Sequence, residues 1–256
     1  MFIDSHCHLS FPELQSQLPK ILDEMKTAQV DQAICICTTM EEFPTVRSLA
    51  GEHANLWATV GVHPDNEDVH EPTVEELVQG AQDAKVVAIG ETGLDYYRLN
   101  GRSIEDMEWQ RERFRTHIRA SKLTAKPLVI HTRSSAADTL RVLEEEGGSH
   151  GVFHCFTESA EVALAAIEMG FYVSFSGILT FKNAQALRDV AQLLPLERLL
   201  IETDSPYLAP IPYRGKLNSP AYVPHVAKAL ADLKGVSVEE LAAQTTANCK
   251  RLFGLN

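Results

Sequence analysis

Short runs of apolar residues alternate along the chain with longer stretches in which apolar residues recur every three or four positions. The apolar runs predict strands near residues 2–6, 32–37, 56–62, 86–91, 127–131, 151–155, 171–176 and 199–204. The intervening stretches predict helices over 14–28, 41–53, 74–84, 104–123, 136–146, 160–169 and 184–193, and two more over 222–233 and 238–253. Strands that read as nearly continuous apolar runs are typical of a parallel sheet covered on both faces.

Eight strand–helix units in 256 residues match the size of a (β/α)8 TIM barrel. A doubly wound open sheet is the competing architecture, and hydrophobic periodicity alone does not separate the two. The positions of potential metal ligands distinguish the two architectures. These ligands follow the apolar runs of predicted strands one, four, five, six and eight: His6, His8, Glu91, His131, His154 and Asp204. In a barrel these strand ends share one mouth. We therefore predict an α/β barrel, one domain over residues 1–256, with a metal site at the C-terminal mouth of the strands.

The spacing of the first two histidines is compatible with a shared metal ion. Side chains alternate between the two faces of an extended strand, so His6 and His8 point the same way and Cys7 points the opposite way. Imidazole is a good ligand for Zn and other transition metals, and the two oxygens of Glu91 suit a position between two cations. A hydrogen-bonded side chain at the barrel mouth is the simpler interpretation of each residue alone, but it does not account for all six together.

Composition narrows the classes of function. A formal net charge of −12 argues against broad electrostatic wrapping of DNA or an anionic membrane, which needs clustered basic charge. An enzyme that holds nucleic acid through a small local cluster of cations stays open. The N-terminus lacks a basic stretch followed by an apolar segment, as a signal peptide would have. We expect a cytoplasmic protein with no membrane association and no obligate protein partner, and a monomer by default.

Seven short segments resemble the TatD family of metal-dependent DNases. They are DSHCHL at 4–9, GETGLDYY at 90–97, VIHTR at 129–133, HCFT at 154–157, FSGI at 175–178, ETDSPYL at 202–208 and RGKLN at 214–218. Their order and spacing are specific, and the resemblance extends from residue 2 to near the C-terminus. It implies a TIM-barrel metallohydrolase of the amidohydrolase-like type that cleaves phosphodiester bonds of DNA, with RNA as a further substrate class.

The resemblance also implies roles for the ligands, carried over by position. His6, His8 and Asp204 would hold one divalent ion, His131 and His154 a second, and Glu91 would lie between them. Two ions of Mg, Mn or Zn, roughly 3.5–4 Å apart, can hold the attacking and leaving oxygens of an in-line displacement and activate a bridging water. Asp204 is the candidate to accept the proton of that water, with Glu91 as the other catalytic carboxylate. Asp4, Asp95 and Glu202 are acids available to orient the imidazoles.

Candidate substrate contacts surround the predicted mouth. His63 ends the third predicted strand, where it is either an ordinary loop histidine or a catalytic donor to a phosphate. Arg133 follows His131, while Arg214 and Lys216 lie in the loop after the eighth strand together with Tyr207, which could stack on a base. Five basic residues between 111 and 122 recur beside acids along one helix, and we interpret them as its solvated outer face rather than a nucleic-acid track.

Four functions are consistent with this pattern. The leading one is a deoxyribonuclease of the 3′–5′ exonuclease type acting on single-stranded DNA or RNA. The alternatives are a metal-dependent hydrolase of amides or small esters, a deacylase acting on aminoacyl-tRNA, and a non-catalytic binding protein on a relic barrel. Many relatives in the wider superfamily place a carbamylated lysine between their metals, whereas no lysine ends the fourth or fifth predicted strand here. An intact set of six potential metal ligands argues against the non-catalytic binding protein.

Overall fold

The computed structural model describes residues 1–255, and within this range the strands form one parallel eight-stranded sheet in sequential order. Each strand pairs with the next along the chain. The strands are Phe2–Cys7 (β1), Val30–Cys35 (β2), Leu56–Val60 (β3), Val86–Asp95 (β4), Leu128–Arg133 (β5), Gly151–Phe153 (β6), Tyr172–Phe175 (β7) and Leu199–Ile201 (β8). Because all strands run in the same direction, their carboxyl ends lie at one end of the sheet.

Helices connect successive strands on the outside of the sheet. They are Pro12–Gln15 (α1), Leu18–Thr27 (α2), Phe43–Glu52 (α3), Val74–Gly80 (α4), Glu108–Thr124 (α5), Ala136–Glu146 (α6), Ala160–Glu168 (α7), Gln185–Leu193 (α8), Val223–Lys234 (α9) and Val238–Phe253 (α10). Short 3₁₀ turns occupy Glu105–Met107, Gly177–Thr180, Leu196–Arg198 and Pro220–Tyr222. The helix predicted over 14–28 is wrong in one respect: it consists of α1 and α2, and Pro19 lies in the first turn of α2.

The sheet closes through the segment that follows β8. The backbone N–H of Asp204 donates to the carbonyl of His6 (2.9 Å), and the N–H of His8 donates to the carbonyl of Ser205 (2.8 Å). Cys7 and Ser205 form a parallel bridge. The sheet is therefore a TIM barrel, as predicted, and its closing contacts lie beside the predicted ligands of β1.

The opposite end of the barrel is filled by apolar residues. Ile3, Val129 and Leu200 belong to a buried cluster that also contains Leu252 and Phe253 of α10. The side-chain amide of Asn248 on α10 donates to the carbonyls of Leu196, in the 3₁₀ turn before β8, and Leu199, at the start of β8, both at 2.9 Å. A packed lower end leaves the carboxyl ends of the strands as the accessible end. Within residues 1–255 the structure contains no helix with the length and apolar character needed to cross a membrane.

Candidate metal centre

A cavity of about 540 Å³ opens at the carboxyl ends of the strands, within the size range of small-ligand sites. Five of the six predicted ligands line it: His8, Glu91, His131, His154 and Asp204. The sixth, His6, is fully buried beneath them, with its Nε2 atom 3.3 Å from Nε2 of His8. The structure thus brings together side chains that lie at or just after the carboxyl ends of five strands of the barrel.

Glu91 occupies the centre of this group, and β4 is shaped to place it there. The strand continues to Asp95 rather than ending at residue 91 as predicted, so Glu91 lies inside the strand. A Cβ atom on Gly90 would approach the carbonyl oxygen of Val129 to 2.7 Å, and one on Gly93 would collide with the carbonyl of His131. Both glycines have positive φ angles, +144° and +127°, which L-residues with side chains rarely adopt. The glycines therefore allow β4 to press against β5 around the carboxylate.

The two oxygens of Glu91 face different sets of imidazoles. Oε2 lies 3.3 Å from Nε2 of His6 and 4.0 Å from Nε2 of His8. Oε1 lies 2.8 Å from Nε2 of His154 and 3.3 Å from Nδ1 of His131. A carboxylate arranged in this way can ligate one cation through each oxygen.

The hydrogen bonds of His131 and His154 show which nitrogen of each ring can ligate a metal ion at the centre. Nε2 of His131 lies 2.9 Å from Oδ2 of Asp95, and Nδ1 of His154 lies 3.3 Å from Oε1 of Glu202. A carboxylate accepts, so each of these nitrogens carries the proton. The opposite nitrogen of each ring then faces Glu91, where a metal ion can take the place of a proton, and Nε2 of His154 has no hydrogen-bond partner although it is buried. A cation fits between these ring nitrogens and the carboxylate of Glu91.

His6, His8 and Asp204 form a second group whose ligand atoms lie within 4.8 Å of one another. Oδ1 of Asp204 is 3.4 Å from Nε2 of His8 and 3.6 Å from Nε2 of His6. Asp204 has a left-handed backbone conformation (φ +56°). Its side chain is 15% exposed, whereas that of Glu91 is 3% exposed, so Asp204 is the more accessible of the two central carboxylates. Two nitrogens and an oxygen in this arrangement suit a divalent transition metal.

Charge within the group keeps its carboxylate ionised. Burial disfavours the charged form of Glu91, but the surrounding imidazoles, with His154 contributing most, outweigh burial and hold the pKa of this carboxyl well below its usual value. Burial likewise disfavours the charged form of His154, but Glu91 and Glu202 raise its pKa well above the usual value. The centre therefore attracts positive charge, which a bound metal ion supplies.

His63 also reaches the centre, with its Nε2 3.4 Å from Oε1 of Glu91. Its Nδ1 accepts a hydrogen bond from the backbone N–H of Asp65 at 3.0 Å, so the proton resides on Nε2. Burial lowers the pKa of His63 to about 3, and the ring is neutral near pH 7. Its ligand atom lies within 4.8 Å of those of Glu91 and His131, but a protonated Nε2 is a hydrogen-bond donor rather than a ligand.

The predicted substrate contacts divide into two groups. Arg133 and Tyr207 line the cavity, and the Arg133 guanidinium lies 3.7 Å from the centre of the Tyr97 ring. Arg214 and Lys216 are not among the described residues that line it. The Arg214 guanidinium instead lies 3.6 Å from the centre of the Phe181 ring, and Nζ of Lys216 lies 5.7 Å from that of Tyr213.

The predicted solvated face of α5 needs a correction. Arg111 and Arg113 are buried, with 6% and 4% exposure. Arg111 donates to Glu108 and to the hydroxyl of Tyr96, and Arg113 is paired with Glu71 while donating to the carbonyl of His63 at 2.8 Å. These two arginines are buried between α5 and the loops at the barrel mouth and stabilise those loops, because α5 packs against β4 and the loop that follows it.

The structure also places residues at the site that no sequence pattern indicated. Arg98 and Phe11 line the cavity, and His117 of α5 accepts from the backbone N–H of Val62 at 3.0 Å, next to His63. Asn218 is fully buried and donates to the carbonyls of Thr203 (2.8 Å) and Tyr207 (2.6 Å). Asn218 lay in a recognised motif, but its partners become apparent only when the loop after β8 is folded.

Comparison with known proteins agrees with this architecture. The family model described as TatD related DNase matches residues 3–254. YcfH of Escherichia coli K12, described as an uncharacterized metal-dependent hydrolase, is 46% identical over 260 residues, covering 99% of this chain and 96% of its own. YabD of Bacillus subtilis, described in the same words, is 39% identical over 259 residues and both chains are covered completely.

A solved structure shows the same fold. The crystal structure of YJJV, a TatD homologue from Escherichia coli K12, superposes with a TM-score of 0.92 at 30% identity, covering 100% of this chain and 98% of that one. The chain therefore belongs to the TatD family of TIM-barrel, metal-dependent hydrolases.

Proposed function

We propose that this hydrolase is a deoxyribonuclease of the 3′–5′ exonuclease type that cleaves single-stranded DNA, and RNA as a further substrate, at a centre of two divalent metal ions. The observation that carries the proposal is the position of Glu91, whose Oε2 faces His6 and His8 and whose Oε1 faces His131 and His154. A carboxylate shared between two ligand sets is the arrangement expected of a two-metal phosphodiesterase. The family description as DNases supports the same substrate class.

The metal ions, when bound, would polarise the phosphate and lower the pKa of water in the cavity so that it attacks at neutral pH. Hydrolysis joins the water oxygen to phosphorus and breaks the bond from phosphorus to the leaving sugar oxygen. Asp204 is placed to accept the proton from the attacking water and to return it to the leaving oxygen, because it is exposed to the cavity and its lowered pKa keeps it ionised near pH 7. Burial opposes that lowering, but contacts with His8, His6 and His154 outweigh it.

The remaining polar side chains of the cavity would hold the phosphates of the strand. His63 presents its Nε2 proton toward the centre and is neutral near pH 7, so it can donate a hydrogen bond to a phosphate oxygen without a change of charge. Arg133 supplies a guanidinium, which matches phosphate geometry through two parallel N–H groups. Tyr207 projects from the rim with 57% exposure and offers a ring on which a base can stack.

The small-amide alternative has less support from the cavity. Its described lining contains no lysine, so a carbamylated lysine cannot take the bridging position that Glu91 occupies. Ester hydrolysis of a small phosphorylated molecule uses the same groups as DNA cleavage, and the assay below distinguishes the two.

The test is hydrolysis of an end-labelled single-stranded oligonucleotide by protein stripped of metal. The reaction is repeated with Mg²⁺, Mn²⁺, Zn²⁺ and excess chelator, using wild type, Glu91→Ala and, as a control, Glu168→Ala on the exposed face of α7. We expect a ladder from one end that depends on metal, is absent with Glu91→Ala and is unchanged with Glu168→Ala. If wild type binds metal but cleaves no oligonucleotide with any ion, the nuclease proposal is wrong and a small phosphoester becomes the better substrate class.

A further inference from the structure

The cavity has two chemically different walls, and they lie on opposite sides of the barrel. The strand order β1 to β8 around the barrel places the ends of β4 and β5 across the mouth from the ends of β8 and β1. Arg98 follows β4 and Arg133 ends β5, whereas Phe11 follows β1 and Tyr207 follows β8. The histidine and carboxylate centre lies between the two walls.

The wall formed by Arg98 and Arg133 carries free positive charge. Most described arginines are paired with carboxylates or donate to backbone carbonyls, but in the described part of the chain neither Arg98 nor Arg133 has a hydrogen-bond or ion-pair partner for its guanidinium. Arg133 is held in place by the ring of Tyr97, 3.7 Å away. Two acids lie near this wall. Asp95 is engaged by His131 and by the N–H of Tyr97, and Asp65 lines the cavity and interacts electrostatically with Arg98 without forming an ion pair. Two unpaired guanidinium groups in a protein of net charge −12 are suited to phosphates.

The opposite wall is aromatic and apolar. The Phe11 ring stacks on the ring of His8, with centroids 4.7 Å apart and an angle of 19° between planes. Tyr207 meets Phe11 edge to face at 6.4 Å, and Ile178 and Leu208 complete the surface. This wall offers faces for a planar apolar group directly beside the metal centre.

We infer that the aromatic wall, defined as Phe11, Tyr207, Ile178 and Leu208, binds the terminal nucleobase of the strand, while Arg98 and Arg133 bind the phosphates of the adjoining nucleotides. The scissile phosphate then lies over the centre between them. This inference rests on the proposed nuclease function and deepens it: the enzyme recognises an end by filling the aromatic wall with one base. Recognition by stacking tolerates any base, because every base presents a π face.

The experiment compares oligonucleotides of one sequence that differ by a single missing base. One carries an abasic residue at the end from which cleavage proceeds, one carries it at the other end, and one is intact. For wild type we expect kcat/KM for the first cleavage to fall about tenfold when the base at the cleaved end is missing, in line with the energy of one base–aromatic stack. Removal of the base at the other end should have no effect.

Variants then assign the effect to each wall. Tyr207→Ala should lower kcat/KM about tenfold on the intact substrate and should no longer distinguish it from the substrate with the terminal abasic residue. Tyr207→Phe keeps the ring and should still distinguish the intact strand from the strand with the terminal abasic residue by about tenfold. Arg133→Ala should lower kcat/KM on both substrates by the same factor and reduce the slope of log KM against log salt by about 0.7, the value for one phosphate contact to a single strand. Leu193→Ala on α8, with 59% exposure, and Arg251→Ala on α10 are the controls and should change neither quantity.

Two results would overturn the inference while leaving the nuclease function intact. One is a wild type that cleaves intact and end-abasic strands equally well, and the other is a Tyr207→Ala loss of equal size on both substrates. Failure of wild type to cleave any of the strands would instead overturn the proposed function, and this inference with it.

Discussion

Nε2 of His131 lies 2.9 Å from Oδ2 of Asp95, and this contact turns the other ring nitrogen, Nδ1, toward Oε1 of Glu91 at 3.3 Å. Asp95 is itself held by the backbone N–H of Tyr97, which donates to Oδ1 at 2.8 Å. The carboxylate therefore selects the tautomer of the imidazole and aims its lone pair. His154 and Glu202 repeat the arrangement in the segments that follow β6 and β8.

Asp95→Ala should weaken metal binding without removing a ligand. The variant leaves His131 free to rotate and to carry its proton on either nitrogen, and loss of such an orienting partner costs about 10–100-fold in metal affinity. Competition with a metal-sensitive indicator measures the dissociation constants. Asp232→Ala on the exposed face of α9 is the control, and equal affinities for wild type and Asp95→Ala would contradict the assigned role.

Asp204→Ala should remove cleavage while leaving the fold and most metal binding in place. Loss of a positioned proton acceptor lowers kcat by about 10²–10⁴-fold, whereas His6 and His8 remain to hold the ion. The measurements are kcat on the oligonucleotide and metal content by elemental analysis of the same sample. Activity within a few-fold of wild type would mean that the proton leaves by another route.

Asn218→Ala should destabilise the loop after β8. The side chain is fully buried and makes three hydrogen bonds, two as donor to Thr203 and Tyr207 and one as acceptor from the N–H of Ser219 at 2.9 Å. Because buried groups left unpaired cost about 1–3 kcal/mol each, we expect the free energy of unfolding to fall by about 3 kcal/mol. Urea unfolding of the variant and of the exposed control Asn183→Ala tests this expectation, and equal midpoints would show that the loop does not depend on Asn218.

His117 should make the protein less stable as the pH falls below 6.5. Burial lowers the pKa of His117 from 6.5 to about 4 and outweighs the hydrogen bond to the carbonyl of Arg113, which raises it, so the unfolded chain binds a proton before the folded chain does. The contribution of neutral His117 to the free energy of unfolding is therefore complete above pH 6.5 and is lost as the pH falls from 6.5 toward 4. The loss amounts to about 3 kcal/mol, at 1.36 kcal/mol per pKa unit.

His117→Gln removes this titration and keeps an acceptor for the N–H of Val62. The difference in unfolding free energy between wild type and His117→Gln, followed by urea unfolding from pH 7 to pH 4, should shrink by about 3 kcal/mol. A constant difference over that range would show that His117 is charged in the folded protein or is not buried.

The barrel and its ligands could be predicted from the sequence because both depend on local, periodic features. Apolar runs mark the strands, and alternation along β1 decides that His6 and His8 share a face while Cys7 turns away. A parallel barrel then brings every carboxyl strand end to one mouth, whatever the sequence of the loops. The strand limits were less accurate, since β4 runs to Asp95 only because Gly90 and Gly93 let it approach β5.

Only the tertiary structure decided what each polar side chain meets. Basic residues in the loop after β8 and after β4 look alike in sequence, yet Arg98 enters the cavity while Arg214 lies against Phe181. Arg113 looks like a surface residue but is buried beneath His63. The physical reason is that the path of a loop depends on hydrogen bonds between residues apart in sequence, such as those of Asn218 with Thr203 and Tyr207. In a strand, by contrast, the local backbone geometry alone determines which face each side chain lies on.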